Sequence, residues 1–334
     1  MRRQALLLAP FLIAAGDSPG HRLAATIAVD ADKRGAPTAL DGARVAFSGA
    51  VTAYAGLTYA QPKGYRPLTL DLYRPGSAGP HPVIVVIHGG GWIFGSPRRT
   101  AAFADWPATL ARIAAEGYVV AAVSYRFGGE APFPAALQDV KSAVRWLRVH
   151  AADYGIDSAR FVTWGDSAGG QLSAMMATTC GVAALEPAAG GWGADMHPTK
   201  AAQSDCVQGA VTWYGAYDFT RPIGGPLPIE RHPYFACRAK PCEREKLVAP
   251  SAAAYVDAND PPILLVHGTA DASAPFAQSE HFLSVLKAAG VTARLVPIAG
   301  ADHGWIGKTP AATERMSREA LAASVDFTRE VVGN

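Results

Sequence analysis

The 334-residue sequence predicts an α/β chain with a mostly parallel central sheet and helices on both faces. Three observations carry that expectation. Short β-rich runs alternate with longer helical patterns from about residue 66 onward. Two of the runs, H-P-V-I-V-V-I-H at 81–88 and Y-V-V-A-A-V-S-Y at 118–125, are continuously apolar, as in strands covered on both faces. Residues 134–150 set Ala136, Val140, Val144, Trp146 and Leu147 near one face of a helix, the stripe that such a sheet needs over it.

The elements follow in order. T-L-D-L-Y (69–73) alternates in the manner of a half-buried strand, and the apolar run at 81–88 is the next strand. A helix is expected over 100–115, a strand over 118–125 and the amphipathic helix over 134–150. Pro134 opens that helix, because its fixed φ suits a first turn. R-F-V-T-W (160–164) reads as a strand and 167–179 as a helix. Residues 180–206, rich in Gly, Ala and Pro, carry no period, and the rhythm returns with a strand at 207–214. Residues 219–250, rich in Pro and basic residues, form a second irregular stretch. A strand at 261–267, a helix at 275–289, a strand at 293–298 and a helix near 311–331 complete the pattern, with no internal repeat. Long loops in compact domains are usually lids or binding loops. The expected organisation is therefore one domain over 17–334, with insertions at about 180–206 and 219–250 forming a cap or pocket rim.

Composition narrows the partners. The chain is 49% hydrophobic and 17% charged, enough for a large core, and its formal net charge is only +2. No long Lys/Arg run occurs, so neither nucleic acid nor an anionic membrane surface is expected as a partner. Arg2, Arg3 and the apolar run Ala5–Ala15 suit a secretory signal over residues 1–16, and the run is too short for stable membrane insertion. A secreted or periplasmic location is expected, with the cytoplasm as the alternative. Four cysteines, Cys180, Cys206, Cys237 and Cys242, do not fit a zinc spacing, and an even count in an exported chain favours disulfides. Cys180 with Cys206 and Cys237 with Cys242 are the simplest of the three connectivities.

Four short motifs fall at strand ends, where ligands gather in open α/β sheets. G-D-S-A-G (165–169) lies between a strand and a helix. A serine hydroxyl is a poor nucleophile without a base, and a sharp turn of small residues would lift Ser167 clear of the sheet. H-G-G-G-W (88–92) can turn backbone N–H groups toward a developing oxyanion. H-G-T-A-D (267–271) supplies Asp271, which can orient a histidine. A-G-A-D-H-G-W (299–305) supplies His303 as the base. The chain order Ser167, Asp271, His303 suits groups hung on successive late strands.

With these motifs together the chain resembles the α/β-hydrolase superfamily, and within it the serine esterases that carry an H-G-G-G motif: the hormone-sensitive-lipase-like and feruloyl/acetyl-xylan-esterase-like groups. D-L-Y-R-P (71–75), H-G-G-G-W-I-F-G (88–95), S-Y-R (124–126), G-D-S-A-G-G (165–170), H-G-T-A-D (267–271) and D-H-G (302–304) carry the resemblance across roughly residues 55–330. It implies an α/β-hydrolase fold and a Ser167–His303–Asp271 triad. It also implies an oxyanion hole at the N–H groups of Gly90, Gly91 and Ala168. The stretches 180–206 and 219–250 depart from any family pattern, so the ester is not named.

Other residues compete for these roles. Asp218, after the preceding strand, rivals Asp271 as the acid, and its alternative use is to cap a turn or line the pocket. Asp302 is expected to fix the loop before His303. His88 is expected to hold the oxyanion loop, His267 to be buried at its strand end, and His197 and His232 to be exposed in the irregular stretches. No H-E-x-x-H occurs, so neither a catalytic metal nor any cofactor is expected. Of the aromatics Trp92, Trp192, Trp213, Tyr214, Tyr217 and Trp305, Trp213 reads as core. Trp92 and Trp305 adjoin the motifs and are the candidate substrate-binding residues, at least one of which should line an acyl or alcohol pocket. The expected function is a serine carboxylesterase acting on small or polymeric esters, bulky or aromatic ones included. A serine peptidase or amidase of the same fold, or a non-catalytic hydrolase-like binding protein, is the alternative. No role is expected for Trp164 or Asp166.

Overall fold

Strands β1 (Ala43–Phe47), β2 (Val51–Ala60) and β3 (Leu68–Arg74) pair antiparallel at one edge of a nine-stranded sheet. The structure is a computed structural model that describes residues 43–187, 203–224, 229–237 and 241–333. The expected signal segment at 1–16, Trp192 and His197 lie outside the described residues. The β1–β2 hairpin precedes the point where the sequence pattern becomes readable. The alternation of β2 is broken where its register against β3 shifts between Tyr54 and Leu57, and the Gly56 N–H donates to Asp71 Oδ1 at 2.8 Å.

The parallel part comprises β4 (His81–Ile87), β5 (Val119–Val123), β6 (Ile156–Asp166), β7 (Gly209–Trp213), β8 (Ile263–Gly268) and β9 (Ala293–Ile298). Across the sheet the order is β1-β2-β3-β5-β4-β6-β7-β8-β9. This is the α/β-hydrolase fold that the motifs imply. Side chains alternate between two cores. Val83, Val85 and Ile87 face α2 (Ala135–Val149), α4 (Ala168–Thr178) and α6 (Ala277–Ala288). Ile84 and Val86 face α1 (Trp106–Ala115) and α7 (Pro310–Val332). Burial on both faces is why β4 and β5 read as unbroken apolar runs.

Helix α1 starts later than the expected 100–115, because Asp105 caps it by accepting from the Ala108 N–H at 3.0 Å and Pro107 occupies its first turn. Two short helices, α3 (Ala151–Tyr154) and α5 (Arg244–Val248), were not legible; α5 lies inside the second irregular stretch. Disulfides join Cys180 to Cys206 and Cys237 to Cys242, as sequence proximity suggested. The first insertion is further held by fully buried Lys141 of α2, which pairs with Asp205 and with Glu186 (3.1 Å) and donates to the Thr179 carbonyl at 2.8 Å. Among the described residues no helix is long and apolar enough to cross a membrane.

Candidate active site

Ser167 stands between β6 and α4 with φ +53° and ψ −115°, a left-handed backbone that a non-glycine residue adopts only under strain. Its neighbours explain how the turn closes. A Cβ on Gly165 would meet the Gly169 carbonyl oxygen at 2.0 Å, and one on Gly169 would meet the Ile87 carbonyl oxygen at 1.9 Å. The Ser167 N–H donates to the Trp213 carbonyl at 2.9 Å, which hooks the turn onto β7.

His303 reaches this hydroxyl from the loop after β9: its Nε2 lies 3.1 Å from Ser167 Oγ, and its Nδ1 lies 2.8 Å from Asp271 Oδ2. Asp271 follows β8, and its Oδ1 accepts the N–H groups of Ser273 and Ala274, each at 2.8 Å. Burial opposes its charge. Hydrogen bonds from His267 and His303, the nearby His303 ring and the Ala274 N–H outweigh that cost, and hold the carboxyl well below the ordinary carboxylate range. Asp271 therefore remains an acceptor whenever His303 is to be oriented. Asp302 fixes the same loop from behind: its Oδ1 accepts from the Ala272 N–H (2.9 Å) and the His303 N–H (2.7 Å). The rival acid, Asp218, is turned away, accepting from Thr220 and pairing with His281 Nε2 at 3.1 Å.

The H-G-G-G loop lies opposite. Gly90 has φ +113°, and its carbonyl accepts the N–H groups of Ile93 and Phe94, each at 3.1 Å, so the chain coils tightly beside the serine. Ala168 opens α4, where first-turn N–H groups have no intrahelical acceptor. Gly90, Gly91, Ser167, Ala168 and His303 all line one cavity of about 370 Å³. A larger groove of about 970 Å³ runs between β1 and α7, but none of these residues lines it.

Of the two candidate substrate-binding tryptophans, Trp92 lines the cavity and Trp305 does not. Trp305 is fully buried behind it, packed on Tyr214 and Trp213 with ring centroids 4.6 and 5.2 Å away, because the turn at His303–Trp305 points the indole into the core under α7. Tyr214 intervenes, with its ring 4.6 Å from that of His303. Trp213 is core, as read. His88 is buried, its Nδ1 2.7 Å from the Gly89 carbonyl; burial lowers its pKa to about 4, so it stays neutral. His267 is buried, 3.4 Å from Asp271, as its place at a strand end suggested. His232 is the correction: it was expected on the surface, yet it is 9% exposed and lines the cavity, because the insertion folds down onto Trp92.

Three buried residues around the nucleophile turn escaped the sequence reading. Asp166 Oδ1 accepts the Gly89 N–H at 2.9 Å and so ties the nucleophile turn to the glycine loop. Gln171 Oε1 accepts from Trp92 Nε1 (3.0 Å) and from the Tyr234 hydroxyl (3.2 Å). Trp164 stacks edge-on against Trp213 at 5.2 Å. Their partners are 77, 79, 63 and 49 positions away, so no local pattern marks them. Among the described residues the metal-ligand side chains that cluster are Cys237, Cys242 and Glu243, and the two sulfurs are bonded to each other.

The BD-FAE family model matches residues 70–286, which include the glycine loop, the nucleophile turn and Asp271. The chain belongs to the BD-FAE family. Esterase LipQ of Mycobacterium tuberculosis is 31% identical over 278 residues, covering 81% of this BD-FAE chain and 61% of LipQ. The chain spans about three-fifths of the length of the curated relatives it matches first, 61% and 62%. Among solved structures, a truncated carbohydrate esterase from gut microbiota superposes with a TM-score of 0.68 at 26% identity, covering 84% of this chain and 96% of that one. Esterase 2 of Thermogutta terrifontis, phosphorylated by paraoxon, gives 0.64 at 28% identity, covering 83% and 93%.

Proposed function

We propose that this protein is a serine carboxylesterase. The observation that carries the reading is the continuous relay from Ser167 Oγ through His303 to Asp271, at 3.1 and 2.8 Å, beside the H-G-G-G loop. In this reading His303 Nε2 takes the serine proton as Ser167 Oγ attacks the ester carbonyl. The oxyanion rests on the N–H groups of Gly90, Gly91 and Ala168. His303 then gives the proton to the departing alcohol, and water repeats the sequence to release the acid. Esterases among the relatives support this chemistry, and the paraoxon adduct of the Thermogutta enzyme shows that a protein of similar fold can be phosphorylated by an organophosphate.

The cavity walls favour an uncharged substrate group. Trp92, Phe94, Ile223, Ile229 and Phe235 line it, and Phe94, 65% exposed, stands at its mouth. A bulky or aromatic ester group fits this lining. The two disulfides and the basic, apolar start of the chain support an exported protein. The test is Ser167→Ala with p-nitrophenyl acetate: turnover and fluorophosphonate labelling should both vanish while the thermal melt is preserved. A variant that retained wild-type turnover within a few-fold would end the proposal.

A further inference from the structure

The oxyanion loop contains three consecutive glycines, Gly89, Gly90 and Gly91, a run with little stiffness of its own. Donors must nevertheless be aimed to a few tenths of an ångström at the developing charge. Part of that stiffness has an identifiable source. Asp166 anchors the Gly89 N–H, at the start of the run. At its end, His232 approaches from the second insertion.

We propose that His232 is a positioning residue, holding the Gly91 peptide of the oxyanion loop from the insertion at 219–250. The inference rests on the esterase reading, since it concerns the same N–H groups. Its geometry is specific. The Tyr234 N–H donates to His232 Nδ1 at 3.3 Å, so Nδ1 is the acceptor nitrogen and the hydrogen sits on Nε2. Nε2 is the nitrogen that faces Gly91: a methyl built on Gly91 would meet it at 4.0 Å. With the hydrogen on Nε2, the Gly91 carbonyl is the backbone group toward which the ring can donate. Burial, opposed by the nearby Gly91 backbone, holds the imidazole below its ordinary value, which favours the neutral ring.

Trp92, the next residue, is held by the same insertion. Tyr234 stacks on it at 4.5 Å and 12°, and His232 meets it edge-on at 5.6 Å and 85°. Gln171 receives hydrogen bonds from both Trp92 and Tyr234 and donates to the Pro250 carbonyl at 2.8 Å, at the far end of the insertion. Gly91 and Trp92 are therefore clamped between the insertion and helix α4.

The experiment compares His232→Leu, which deletes the donor at similar volume, with His232→Gln, whose amide nitrogen reaches the Nε2 position, and His232→Asn, whose amide stops short of it. Substrate is p-nitrophenyl acetate, and an aryl trifluoromethyl ketone serves as mimic of the tetrahedral intermediate. Expected are a fall of about tenfold in kcat for the Leu and Asn variants, a KM within threefold, and an equal loss of ketone affinity. The Gln variant should stay within threefold of wild type on each measure. If the Leu variant does not fold, the Asn and Gln pair carries the comparison. Leu or Asn variants with kcat within twofold of wild type, or with ketone affinity unchanged as kcat falls, overturn the proposal. A wild type that neither hydrolyses the ester nor binds the ketone would overturn the esterase reading itself.

Discussion

At the scale of single residues, two carboxylates near Ser167 are driven in opposite directions. Asp271 gains enough hydrogen bonds to stay ionised far into acid, whereas burial raises Asp166 to about 6 despite bonds from Thr100 and the Gly89 N–H and the attraction of His303. Asp271→Asn would present an amide where His303 Nδ1–H needs an acceptor, and can leave the imidazole in the wrong tautomer. A loss of about 10³–10⁴-fold in kcat is expected, measured on a p-nitrophenyl ester. Asp166 makes a statement about stability. Its folded pKa lies above the value of 3.8 that an unperturbed Asp has, so its contribution is full below pH 4 and is lost as pH rises through about 6. Asp166→Asn keeps an acceptor for Gly89 without the charge. The variant should therefore melt higher than wild type at pH 7.5, and the advantage should disappear at pH 4. An advantage that is constant with pH would show that ionisation is not its source.

At the scale of elements, the turn between β6 and α4 works because its glycines admit backbone where side chains cannot go. Gly169→Ala would drive a methyl into the Ile87 carbonyl, forcing β4 and α4 apart. It is expected to cost at least several kcal/mol and to reduce soluble yield sharply, as checked by expression and chemical denaturation. Helix ends offer a milder case. Thr309 Oγ1 accepts the Ala312 N–H at 3.2 Å at the start of α7, and Pro310 follows in the first turn. Thr309→Ala should cost about 1 kcal/mol and lower the melting temperature by a few degrees, with ester turnover unchanged.

At the scale of the whole molecule, the sheet was legible from its parallel centre outward. β4 and β5 lie between two helical layers, and their unbroken apolar runs advertised this. The β1–β2 hairpin was missed because its alternation is broken and one face is only partly covered. The two disulfides differ in what they close. Cys180 and Cys206 are 26 positions apart, and the entropy lost by closing that loop is worth about 3–4 kcal/mol in the chain-entropy model, against less for the separation of 5 between Cys237 and Cys242. Replacing Cys180 and Cys206 together by Ala should lower the melting temperature more than replacing Cys237 and Cys242, as calorimetry would show.

The sequence by itself determined the alternation of strands and helices from β3 onward, the turn residues, and Ser167, Asp271 and His303 as the chemistry to look for, because each is encoded locally: a period, a glycine cluster, a strand end. Only the tertiary structure decided that Trp305 is core, that His232 is buried at the oxyanion loop, and that Asp166 and Gln171 tie the turn to its surroundings. Those facts depend on contacts between segments remote in the chain. The insertion at 219–250 has no period from which its path could be read, and its place over Trp92 follows from packing against residues that lie far from it in sequence.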